Sequence, residues 1–121
     1  MINIEQIEAV YDARPLDRVR VLEWEIEGSG EVWVYWKPTT QHELDVVNKE
    51  MQEGASGSRW NAQLVCLKLL NEDGKRIFTN AHLDRLSRKG FSVVINRLAS
   101  LMLRVPIPEA AEKNEGQPEP V

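Results

Sequence analysis

Residues 18 to 36 decide what kind of fold this chain can make. Arg18-Val19-Arg20-Val21-Leu22-Glu23-Trp24-Glu25-Ile26-Glu27 alternates apolar and charged side chains, the period of a half-buried strand. The phase slips by one between Val21 and Leu22, which predicts a bulge there. Gly28-Ser29-Gly30 follows, and then Glu31-Val32-Trp33-Val34-Tyr35-Trp36. Two strand-like runs joined by a short Gly-rich loop read as a β-hairpin over about 18–36. Its second strand is apolar on both faces, with Val32, Val34 and Trp36 on one and Trp33 and Tyr35 on the other. Pro38 closes it.

The rest of the chain has the period of helices. Asn3 can cap a short helix that carries Ile4, Ile7 and Val10 or Tyr11 on one face, with Gln6 in the capping-box position. So short a helix needs tertiary support. Thr40 and Glu43 have capping-box spacing before a helix bearing Leu44, Val47 and Met51. Residues 53–58, Glu-Gly-Ala-Ser-Gly-Ser, predict a flexible connection. Residues 60–70 are apolar nearly all round, as a central core helix would be. Thr79 or Asn80 opens a short helix with Leu83 and Leu86, stopped at Gly90. The last helix places Phe91, Val94, Ile95, Leu98, Leu101, Met102 and Val105 on one face, before Pro106 and Pro108 stop it. The predicted fold class is therefore α+β: an N-terminal helix, one β-hairpin and a bundle of about four helices. It forms a single domain over 1–106. Residues 107–121, charged, Pro-containing and without aromatics, are predicted to be a disordered tail.

Composition narrows the function. A chain of 121 residues can bury roughly two thirds of its unfolded surface, enough for one modest core. Its net charge of −4 argues against nucleic acid as a partner, since phosphate-binding faces carry a basic excess. Cys66 is the only cysteine and lies in an apolar run, the pattern of a buried thiol in a reducing compartment. The N-terminus lacks the charged and apolar regions of a signal peptide, and no apolar run is long enough to span a bilayer. The expected location is the cytoplasm.

The site candidates begin at Leu69–Leu86, where Asn71-Glu72-Asp73-Gly74 resembles a calcium loop. With Gly74 as its sixth residue, however, the first ligand would be Leu69 and the twelfth Asn80. Neither supplies the required carboxylate, so the stretch reads as a turn after the core helix. His42 and His82 have no histidine at i+4 and no cysteine pair, and read as solvated surface residues rather than zinc ligands. Glu23, Glu25 and Glu27 read as the solvent face of a strand. The pattern supplies no catalytic residues, cofactor or metal site. What exceeds an ordinary core is the concentration of Trp24, Trp33, Tyr35 and Trp36 in one hairpin. Helices can cover only one side of it, so the other is expected to expose aromatic surface for a protein partner. Met102 and Val105, at the end of the last helix, join these as candidate partner-binding residues.

The order of a Trp24-bearing strand, a Val-Trp-Val-Tyr-Trp strand, a capped helix and Asn-Ala-Gln-Leu-Val-Cys-Leu-Lys-Leu-Leu-Asn-Glu-Asp-Gly-Lys-Arg-Ile-Phe-Thr (residues 61–79) resembles the tail assembly chaperones of long-tailed bacteriophages and prophages. In that family a small, aliphatic helix runs into a D-G-x-x-x-F-[ST] turn, followed by a short and then a longer helix. Residues 60–105 carry most of the likeness. The resemblance implies a non-enzymatic protein that binds the hydrophobic, helical tape measure protein, keeps it soluble and helps deliver tail tube subunits around it. It also implies self-association, action in the host cytoplasm and absence from the mature virion. A generic protein–protein adaptor or small virion-associated subunit would share these features with a different partner. An enzyme subunit completed by another chain would instead need a pocket lined by perturbed carboxylates.

Overall fold

Asn3 starts the first helix as its position predicts. Its side chain accepts a 2.9 Å hydrogen bond from the Gln6 backbone N–H, and α1 runs Ile4–Ala13. The computed structural model describes residues 1–51 and 57–105. The core does not cover α1: none of its residues is buried, and Ile4, Ile7 and Val10 are each more than half exposed. Near its C-terminal end, Lys37 Nζ lies 4.5 Å from the centre of the Tyr11 ring and 3.3 Å from the Tyr11 carbonyl oxygen.

The hairpin is real but its first strand is short. β1 (Asp17–Arg20) pairs antiparallel with β2 (Trp33–Trp36), Asp17 opposite Trp36 and Arg20 opposite Trp33. At the phase slip the predicted bulge is instead the end of the strand. The Val21 N–H still bonds the Val32 carbonyl at 2.8 Å, and then Leu22–Trp24 wind into one 3-10 turn. That turn lets Val21 stay fully buried while Trp24 packs edge-on to Phe78, ring centres 6.4 Å apart. Of the three glutamates read as a solvent face, Glu23 and Glu27 are exposed and Glu25 is partly buried, and two of them also act as fasteners. Glu25 accepts from Arg20 Nε at 2.7 Å and from the Val32 N–H at 2.9 Å. Glu23 accepts from both terminal nitrogens of Arg97 at 2.8 Å. Gly28 and Gly30, at φ of +85° and +72°, occupy left-handed backbone that a side chain would oppose.

Thr40 caps α2 (Gln41–Met51) through the predicted reciprocal box. Its hydroxyl accepts from the Glu43 N–H at 3.2 Å, and Glu43 Oε1 accepts from the Thr40 N–H at 3.0 Å. The helix α3 (Gly57–Lys68) begins inside the stretch expected to be flexible; residues 53–56 of that stretch lie outside the described residues. Ala62, Leu64, Val65 and Cys66 are buried, which makes α3 the central helix as expected. It packs on α2, on α4 (Leu83–Lys89) and on α5 (Ser92–Met102).

The apolar run predicts helix to residue 70, yet α3 stops at Lys68. Leu70 leaves the helix to pair with β2, exchanging hydrogen bonds of 3.0 and 2.7 Å with the Tyr35 backbone. The calcium-like stretch then turns the chain. Asn71 Oδ1 accepts from the N–H groups of Asp73 (2.9 Å) and Lys75 (3.1 Å), and Gly74 sits at φ +80°. A 3-10 turn at Asn80–His82 leads into α4. On α5, Val94, Ile95, Leu98, Ala99 and Met102 are buried. Phe91, expected on this buried face, is 58% exposed. It precedes the helix, where its carbonyl accepts from the N–H groups of Val94 and Ile95. The architecture is α+β, among the described residues five α-helices with a two-stranded antiparallel hairpin. The tail predicted at 107–121 lies outside the described residues.

Candidate partner-binding surface

Of the six residues expected at a partner surface, two belong to the core. Trp36 is 4% exposed and Met102 is fully buried. Trp36 shares a strand face with buried Val34, so it follows that face inward. Met102 continues the buried stripe of α5, and its carbonyl accepts a 2.7 Å hydrogen bond from the Thr39 hydroxyl. Trp33 and Tyr35 lie on the opposite strand face, as expected, but are partly covered. The Arg18 guanidinium stacks 4.7 Å from the centre of the Trp33 ring, whose Nε1 donates to Glu31 at 3.0 Å. Tyr35 is held by its backbone pairing with Leu70. Trp24 is partly buried, and Val105 is 56% exposed.

The structure separates these residues into two concavities. A cleft of about 560 Å³ lies between β1 and the end of α5, lined by Val19, Trp36, Leu101 and Val105 with Arg18, Asp17 and Arg104. Trp36 lines it while nearly buried, and among the described residues its indole N–H has no hydrogen-bond partner, a donor whose burial they leave uncompensated. A second groove, about 430 Å³, is lined by Trp24, Ile77, Phe78 and Leu86 with His82, Arg85 and Lys89. Thus Trp36 and Val105 come together, Trp24 stands apart in the other groove, and Trp33 and Tyr35 line neither.

Several of these positions were hidden from sequence reasoning. Val19 and Leu101 look like ordinary core residues in their patterns. Arg85 and Lys89 look like a solvated helix face; their i, i+4 spacing beside Leu86 was the available signal. The exposed stripe of α1 has a clear period, but a period does not say whether anything covers it.

Of the reactive side chains, His42 is exposed as expected, whereas His82 and Cys66 are engaged structurally. His82, predicted to be a solvated surface residue, is partly buried: its Nδ1 accepts from the Thr79 N–H at 3.0 Å, and its ring meets Phe78 edge-on. Cys66 is 3% exposed, and its Sγ donates to the Thr79 carbonyl at 3.1 Å. Burial pushes the thiol pKa up, against the thiolate that nucleophilic chemistry needs. Among the described residues no three His, Cys, Asp or Glu side chains gather as a metal would require, and no helix is long and apolar enough to cross a membrane. No protein-family model, curated protein or solved structure matches this chain.

Proposed function

We propose that this chain is a tail assembly chaperone of a long-tailed bacteriophage or prophage. In this reading it acts without catalysis in the host cytoplasm, holding apolar helices of the tape measure protein and assisting assembly of the tail tube around them. It also self-associates. The observation that carries the reading is the cleft of Val19, Trp36, Leu101 and Val105, an apolar trough with arginines on its rim beside the end of the last helix. A client whose helices are apolar along one face needs such a trough, lined by aliphatic and aromatic side chains and open to solvent. A net charge of −4 helps to keep the loaded complex soluble. The sequence likeness of residues 60–105 supplies the identity of the client.

Co-expression with a tape measure protein of a long-tailed phage tests the reading. The client is expected to become soluble and to co-purify. A client that stays insoluble beside a folded, unbound chaperone would overturn it.

A further inference from the structure

We infer that α1 of one copy docks in the α4 groove of a second copy, so that the chain associates head to tail. The inference rests on the self-associating part of the reading above and specifies its surfaces. At about 100° per residue, Ile4, Ile7, Val10 and Tyr11 form one stripe of α1, and Glu5, Glu8 and Asp12 fall together along one flank of it. The aliphatic members of that stripe are exposed, and among the described residues the three carboxylates form no ion pair. The α4 groove has the opposite charge in the same layout. Trp24, Ile77, Phe78 and Leu86 offer apolar surface, and Arg85 and Lys89 line one side, one helical turn apart. Among the described residues neither cation has an ion-pair partner.

The occupant is a second copy because the chain's own α1 is held elsewhere. Asp17 pairs with Trp36 and Arg20 with Trp33, so the segment entering β1 and the turn carrying Trp24 lie at opposite ends of the hairpin. At the first end α1 is fastened by Lys37 on Tyr11 and by the Arg14–Asp17 ion pair at 3.2 Å. In this head-to-tail arrangement, where each copy's groove takes the α1 of the next, the contact builds a ring or an open chain. Its charged flanks make it weaken as salt rises.

Sedimentation of the full chain tests this, with Ile7→Asp as the α1 variant and Arg85→Glu/Lys89→Glu as the groove variant. Both change exposed side chains, and circular dichroism checks that each folds. The wild type is expected to associate beyond a dimer with rising concentration, less so at high salt. Each variant alone is expected to associate at least about tenfold more weakly, a loss of one apolar anchor or two charge pairs. An equimolar mixture retains one intact α1 and one intact groove per pair, and is expected to form a one-to-one dimer that grows no further. Three results would each overturn the inference: a wild type that stays monomeric up to about 0.5 mM, variants that associate like the wild type, or a mixture no larger than its parts. A monomeric wild type would leave the client reading standing and assign the groove to an acidic helix of another protein.

Discussion

The ammonium of Lys68 and the carboxylate of Glu43 meet at 2.7 Å, joining α3 to α2. The same oxygen of Glu43 accepts from the Thr40 N–H, so one carboxylate both caps α2 and holds the buried lysine. Lys68 is 4% exposed and also lies 3.4 Å from the Pro38 carbonyl oxygen. Removing the lysine leaves a partly buried carboxylate without its counter-charge. Lys68→Ala is expected to lower stability by about 2–4 kcal/mol, measured by urea denaturation.

Acid should loosen the hairpin from the helices. The Arg97 hydrogen bonds hold the Glu23 carboxyl at about 2, and the Arg20 bond does the same for Glu25, against an ordinary 4.5. A carboxyl depressed in the folded state stabilises it fully above its unfolded value, and that contribution disappears as pH falls through the folded one. The thermal midpoint is therefore expected to drop between pH 4.5 and 2. Arg97→Gln removes Glu23's share, and the midpoint of that variant should fall less over the same window. An identical slope would mean that this ion pair adds nothing.

The hairpin aromatics should divide by face. Trp36→Ala empties a buried site and is expected to cost about 3–5 kcal/mol. Trp33→Ala mainly loses a partly exposed stack with Arg18, worth about 1 kcal/mol or less. The thermal midpoints of the two variants, compared directly, check the assignment of faces.

Gly90 is required for space. A methyl group there would sit 2.6 Å from the Leu86 carbonyl oxygen and 2.8 Å from Ile95 Cδ1, at the junction of α4 and α5. Gly90→Ala is expected to cost about 1–3 kcal/mol by overpacking. At Gly74 the surroundings are open and only the positive φ of +80° opposes a side chain, so Gly74→Ala should cost about 1 kcal/mol. Chemical denaturation of the two variants ranks them.

Local signals were legible in the sequence because the groups that make them are neighbours in the chain. Asn3 caps its helix, and Thr40 and Glu43 cap theirs reciprocally, as their spacing predicts. The apolar girth of residues 60–70 marks the central helix for the same reason. Where the structure departs from the pattern, a distant partner is responsible. Leu70 looks helical but is taken by Tyr35, thirty-five positions earlier in the chain. Glu23 is exposed as its pattern predicts, but nothing local announces its pairing with Arg97, seventy-four positions on. The phase slip at Val21 was visible, yet only the packing of Trp24 on Phe78 turns it into a 3-10 corner. Exposure was the least legible property. Trp36 and Met102 entered the core, while the regular apolar stripe of α1 stayed outside it.

The central claim is that the cleft beside Val105 holds apolar client helices. Its most direct measurement is the affinity of the purified chain for an apolar helical segment of the tape measure protein, compared with Leu101→Glu and with Trp33→Ala. Leu101 lines the cleft and Trp33 does not. The account predicts that Leu101→Glu, still folded by circular dichroism, loses at least about tenfold in affinity, the cost of placing a charge in an apolar contact, while Trp33→Ala binds as the wild type does. Equal binding by Leu101→Glu and the wild type would contradict it.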